Sequence, residues 1–215
     1  QEAIQPGYND SDWRALDLPH DWSIEGAYEH TVNGTDWQSG FLPVGIGWYR
    51  KTFSYDPDWN GKKVRIQFDG VYLNSEVWIN GHSLGKRPNG YIGFEYDLTP
   101  YLKTGDNCIA VKVDQSKPLT GRWYTGSGIY RHVYLHVSSP VHIGYSGVYF
   151  NVDTFLPDKA VCSVDVSIVN PAEEMVQVVS CLLDKSGQTV ARSSGIGNVV
   201  SGDKIEMDVV DPERW

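Results

Sequence analysis

Between Gln115 and Gly128 the chain sets Arg122, Trp123 and Tyr124 side by side, closed in by Gly121 and Gly126. An indole and a phenol offer apolar ring faces, and the guanidinium beside them holds five N–H donors in one plane. That combination suits a ligand with an apolar C–H face and paired hydroxyls around its rim, which is how a sugar ring presents itself. Arg122, Trp123 and Tyr124 are therefore the candidate substrate-binding residues. The same side chains also fit a structural role, with the two aromatics filling an interface with a further domain and Arg122 pairing with an acid there. His20 and Asp21 adjoin in Leu18-Pro-His-Asp-Trp22, but neither an Asp-His-nucleophile order nor a Gly-x-Ser-x-Gly turn accompanies them. Hydrogen bonds that fix a loop account for such a pair. Asp69 and Glu76, on either side of an Asn-Ser turn, read as turn-bonding residues, and Lys86-Arg87 is too short a run for an anion site. Asn33-Gly-Thr35 fits the glycosylation acceptor pattern, which arises often by chance.

The three cysteines, Cys108, Cys162 and Cys181, form no Cys-x-x-Cys pair and lie near no cluster of His. Each sits in an apolar, strand-like run, so buried free thiols are expected in preference to a Cys162–Cys181 bridge. With no oxygen-ligand cage either, no metal and no cofactor is assigned, and no catalytic residue. Acidic residues number 27 against 18 basic, a formal net charge of −9 without a basic stripe, which argues against a nucleic-acid partner. Eight Trp, 13 Tyr and 6 Phe are far more aromatic surface than a disordered chain carries. No apolar stretch is long enough to cross a bilayer as a helix. The chain opens on Gln1 with no signal-peptide pattern, as a processed terminus or an excised segment would.

The elements that must position these residues are strands. Val64, Ile66 and Phe68 alternate with Arg65 and Gln67; Ile109, Val111 and Val113 with Ala110 and Lys112; Val133, Leu135 and Val137 with His132, Tyr134 and His136. One buried face and one wet face is the pattern of antiparallel sheets. Asn80-Gly81 after Glu76-Val-Trp-Ile79 predicts a two-residue hairpin turn with positive φ at both residues. The single helical candidate is one turn at Thr99-Pro-Tyr-Leu102, with Thr99 as its cap. The fold class is thus all-β, a sandwich or jelly roll. Aromatic residues nearly cease after Phe155, leaving only Trp215, and the Val-rich remainder is more acidic. A boundary is expected at Ser138-Ser-Pro140, giving domains 1–139 and 140–215. The second offers strand candidates near 141–152, 160–169, 175–184, 188–193 and 204–210, about two short of an immunoglobulin-like sandwich.

Gly47-Trp-Tyr-Arg-Lys-Thr-Phe53 and Phe68-Asp-Gly-Val-Tyr-Leu-Asn-Ser-Glu-Val-Trp-Ile-Asn-Gly-His82 carry a family resemblance, together with Leu18-Pro-His-Asp-Trp22, Tyr96-Asp-Leu-Thr-Pro-Tyr-Leu102 and Arg122-Trp-Tyr-Thr-Gly-Ser-Gly-Ile-Tyr-Arg131. In order and over nearly the whole chain, they resemble the amino-terminal part of family 2 glycoside hydrolases, β-galactosidases in particular. The resemblance implies a galactose-binding-domain-like jelly roll, then a truncated immunoglobulin-like sandwich, both preceding a (β/α)₈ catalytic barrel that this chain lacks. It implies a parent that hydrolyses terminal β-linked sugars with retention, through two glutamates about 5 to 5.5 Å apart on the barrel. The fragment itself would be inactive. Its implied partners are a carbohydrate substrate and the barrel of the same chain, in a periplasmic or secreted setting, and a homo-oligomeric parent is compatible with it. An autonomous carbohydrate-binding module is the rival reading, with Trp37, Trp59 or Trp123 as a stacking platform, and a parent of β-glucuronidase or β-mannosidase specificity is the other alternative.

In the family a jelly-roll loop brings an Asp to the barrel mouth, seven residues before the Ile of a Gly-Ile-(aromatic or His)-Arg motif. Counting back from Ile129 reaches Arg122. A hydroxyl acceptor is replaced by a pure donor with a fixed charge, so the resemblance implies that Arg122 meets the substrate or a barrel carboxylate.

Overall fold

The computed structural model describes residues 2–28, 30, 40–117, 126–197 and 204–212, and the chain divides into two compact units, Gln1–Val137 and Ser138–Trp215. In the first, a four-stranded antiparallel sheet in the order β1-β6-β3-β4 uses β1 (Gly45–Ser54), β3 (Ser75–Ile79), β4 (His82–Arg87) and β6 (Asp106–Gln115). A three-stranded sheet in the order β5-β2-β7 uses β2 (Lys63–Phe68), β5 (Phe94–Asp97) and β7 (Val133–Ser138). Val64, Ile66 and Phe68 from one sheet meet Val77, Ile79, Ile109, Val111 and Val113 from the other in a single core, and the Phe68 and Phe94 rings stack at 5.1 Å. The two inner faces packed in this way make a jelly-roll sandwich.

The Asn80-Gly81 turn joins β3 to β4 with φ of 52° and 85°. Asn80 does more than bend the chain. Its Nδ2 donates to Tyr101 O at 2.9 Å and Asn107 Oδ1 at 2.8 Å, and its Oδ1 accepts from the Cys108 amide at 3.0 Å. The helical turn at Thr99–Tyr101 is 3₁₀, with Leu98 at its cap position, so Thr99 is not the cap. The Asp97 carboxylate accepts from the Thr99 amide at 2.9 Å, while the Thr99 hydroxyl accepts from the Val64 amide at 3.0 Å and ties the turn to β2.

Two alternations depart from expectation. Ala110 is fully buried although it lies on the outer face of β6. Its cross-strand neighbours are Arg50 and Trp78, and Arg50 gathers the opening segment over this face. The Arg50 side chain donates to Asp10 at 2.7 Å and to Gln5 O at 3.1 Å, also bonds Ala3 O, and lies over the Tyr8 ring. On β7, Val133 packs against the core, but Leu135 and Val137 are exposed, as is Tyr134 on the opposite face. β7 is the outer strand of its sheet, and among the described residues nothing covers that end.

The second unit is a smaller sandwich of five strands: β8 (His142–Phe155), β9 (Lys159–Val169) and β12 (Lys204–Val210) in the order β12-β9-β8, and β10 (Val176–Leu183) paired with β11 (Thr189–Gly197). In chain order β8, β9 and β12 take the places of strands A, B and E of an immunoglobulin-like sandwich, and β10 that of strand C. The core unites Cys162, Val164 and Val166 of β9 with Met207 and Val209 of β12, and Val176, Val178 and Leu182 of β10 pack on it. The same inner face continues onto β8 as Val148, Phe150 and Val152, opposite Val166, Val164 and Cys162, yet these three are 45–56% exposed. All three cysteines are free, but Cys181 is exposed and not buried, because β10 alternates and Cys181 falls on its outer face.

Candidate functional site

Arg122, Trp123 and Tyr124 lie outside the described residues, as do Trp37 and Asn33-Gly34-Thr35. The base on which that segment stands is described on both sides. Downstream, Ser127, Gly128 and Ile129 run beside the Leu18-Pro-His-Asp-Trp22 segment: the His20 amide donates to Ile129 O at 2.8 Å and the Trp22 amide to Ser127 O at 3.0 Å. Asp21, 6% exposed, accepts with one oxygen from the amides of Ser23 at 2.8 Å and Ser127 at 2.9 Å. The Ser23 hydroxyl lies 2.7 Å from Pro43 O and 2.6 Å from the Ser127 hydroxyl, which donates to Gln115 Oε1. Ser23, Gln115 and Ser127 are at most 1% exposed. Gln115 ends β6 just before the segment and Ser127 begins the chain just after it, so one buried polar network clamps both roots.

Glycine completes the clamp. Gly128 exchanges both backbone hydrogen bonds with Tyr72 at 2.9 Å, and its φ is 138°. A Cβ there would lie 2.5 Å from both His20 O and the Tyr49 hydroxyl. On the upstream side the Asp114 carboxylate accepts from the hydroxyl of Ser116 at 2.7 Å and from its amide at 3.1 Å, and these bonds hold its pKa below the usual carboxylate range.

Beside the clamp a cleft of about 530 Å³ opens along β1, the outer strand of its sheet. Ile46, Gly47, Trp48 and Tyr49 form one wall; Trp13, Leu16 and Trp22, with Arg14, His20 and Glu25, form the other. The His20 Nδ1 lies 2.8 Å from the Tyr49 hydroxyl, and its Nε2 lies 2.8 Å from Arg14 Nη2 and 3.3 Å from Glu25 Oε1. Arg14 also donates to Glu25 at 2.7 Å, and that bond draws the Glu25 pKa down. Burial pushes the Tyr49 hydroxyl up to about 12, against a hydrogen bond from the Ile129 amide. With both ring nitrogens engaged, His20 ties Tyr49 on one wall of the cleft to Arg14 and Glu25 on the other. Among the described residues no group of three or more His, Cys, Asp or Glu side chains could hold a metal.

Sequence reasoning read His20 and Asp21 as loop-fixing, and Asp21 makes such bonds. It missed Ser127 as the partner of Asp21, Gln115 as the acceptor of the Ser127 hydroxyl, and Trp13, Arg14, Glu25 and Tyr49 as cleft residues. The Asp21–Ser127 contact spans 106 residues and the His20–Tyr49 contact 29, separations that leave no local spacing to read.

Residues 12–140 match the family model for "Glycosyl hydrolases family 2, sugar binding domain". A β-galactosidase of Bacteroides ovatus, BoGH2A, is 47% identical over 222 residues, which is 100% of this chain and 26% of that protein. A putative β-glucuronidase of Formosa agariphila is 40% identical over 96% of this chain and 20% of its own length. The crystal structure of a β-glycosidase from Bacteroides vulgatus superposes with a TM-score of 0.92 at 54% identity, over 99% of this chain and 27% of that one. The chain thus spans about a quarter of the length of these relatives. With the family model covering more than half of its residues, the chain belongs to glycosyl hydrolase family 2 and carries that family's sugar-binding domain.

Proposed function

We propose that this chain is the non-catalytic, amino-terminal part of a retaining exo-β-glycosidase, β-galactosidase-like, acting on terminal β-linked sugars of oligo- or polysaccharides. The observation that carries the reading is the full-length match of the chain to about a quarter of a β-galactosidase at 47% identity. The two catalytic glutamates and the (β/α)₈ barrel belong to the remaining length, and the first unit scaffolds that barrel. Arg122, Trp123 and Tyr124 contribute one wall of the substrate pocket. A segment that must meet a substrate needs fixed roots, and the Asp21–Ser127–Gln115 network supplies them. The uncovered inner face of β8 suits further strands of the same longer protein. The proposed setting is periplasmic or extracellular, as for an enzyme that degrades polysaccharides. A β-glucuronidase parent is the second reading, favoured by the 40% match to a putative enzyme of that kind.

The test compares the 215-residue chain with the longer protein on nitrophenyl β-galactoside and β-glucuronide. The longer protein is expected to release galactose with retained configuration by proton NMR, while the chain alone releases nothing. Hydrolysis by the chain alone, or inversion by the longer protein, overturns the reading; preference for the glucuronide selects the second.

A further inference from the structure

The cleft along β1 has a chemistry of its own. We propose that it is a subsite for one neutral pyranose residue; the proposal rests on the sugar-binding reading of the first unit. Its indoles are held by neighbours. The Trp22 ring lies so close on Gly47 that a Cβ there would come within 2.4 Å of it. Trp13 stands edge-on to Tyr8 at 5.6 Å, and Trp48 stacks on Trp78 at 5.5 Å. Rings fixed before the ligand arrives cost little ordering on binding, and their faces suit the C–H face of a sugar.

The polar rim supplies the other half. Arg14 and Glu25, 62% and 46% exposed, are bound at 2.7 Å, with His20 fixed behind them by Tyr49. A guanidinium keeps further N–H donors after one such bond, and the carboxylate keeps acceptor lone pairs, so donor and acceptor stand together as adjacent hydroxyls require. The Arg14 charge is matched by Glu25 in a chain of net charge −9, which disfavours an anionic sugar. A volume near 530 Å³ is in the range of small-molecule sites, about 300–1,000 Å³.

The 215-residue chain is titrated with methyl β-D-galactopyranoside and methyl β-D-glucuronide, following heat and tryptophan fluorescence. The galactoside is expected to bind with a millimolar Kd and the glucuronide about fivefold more weakly or worse. Trp13→Ala and Arg14→Ala are each expected to raise Kd about fivefold or more at unchanged Tm, with partial rescue by Trp13→Phe. No signal up to about 100 mM galactoside overturns the proposal. So does binding that ignores Trp13 and Arg14, and so does a crystal structure of the longer protein with a peptide segment filling the cleft. None of these outcomes touches the hydrolysis assay, so the two readings fail separately.

Discussion

One oxygen of Asp21 accepts the amide hydrogen of Ser127 at 2.9 Å, across 106 residues of chain. The same oxygen takes the Ser23 amide at 2.8 Å, so the Leu-Pro-His-Asp-Trp segment and the chain after residue 125 are locked at one buried carboxylate. Asp21→Ala leaves two buried donors without an acceptor and is expected to lower the unfolding free energy by about 2–4 kcal/mol. Asp21→Asn keeps one acceptor oxygen and loses less. Urea unfolding of the three proteins checks the order.

Gly128→Ala combines a φ of 138° with two contacts at 2.5 Å, one of them to backbone. The expected result is a loss of at least about 2 kcal/mol, and in the longer enzyme a lower kcat/KM, because the displaced chain carries the root of the Arg122 segment. Thermal unfolding and the hydrolysis assay report the two effects.

Asn80→Ala removes three side-chain hydrogen bonds and leaves at φ 52° a residue less tolerant of the left-handed region than Asn, whose short polar side chain bonds locally. A loss of about 2–4 kcal/mol is expected. Asn80→Gly relieves the backbone but not the hydrogen bonds, so it should fall between wild type and Asn80→Ala in denaturant midpoint.

Tyr49 ionises in the unfolded chain near its ordinary value of 10 and in the folded chain near 12. A folded pKa raised in this way stabilises fully below pH 10, and the stabilisation is lost as pH rises through 12. Tyr72, also raised to about 12 by burial, acts in the same direction. Between pH 10 and 12 the wild type is therefore expected to lose Tm faster than Tyr49→Phe, which keeps the ring and drops the titrating hydroxyl. Parallel Tm curves would contradict this.

Cys181 is exposed, and Cys108 and Cys162 are buried, with burial raising both buried thiols' pKa values. One thiol per chain should react rapidly with Ellman's reagent in the native state and three after denaturation.

The sequence made the strands legible where a face is half-buried: Val64, Ile66 and Phe68 bury as their alternation predicts, and the Asn80-Gly81 turn takes the expected φ values. It misled where burial comes from a distant segment. Ala110 is covered because Arg50 draws residues near the start of the chain across the sheet, and Leu135 is bare because β7 is an outer strand. Cys181 shows the same limit, since an apolar run does not say which of its faces turns inward. The cleft was legible only as separate tryptophans. What assembles it is the fold-back of Trp13–Glu25 on β1, which no periodicity encodes.

The most direct test of the account is the kcat/KM of the longer enzyme on nitrophenyl β-galactoside, wild type against Arg122→Ala, with Tm measured on both. A fall of about tenfold to a hundredfold at unchanged Tm is expected if Arg122 faces the substrate from a clamped base. Unchanged kcat/KM together with unchanged Tm would contradict it.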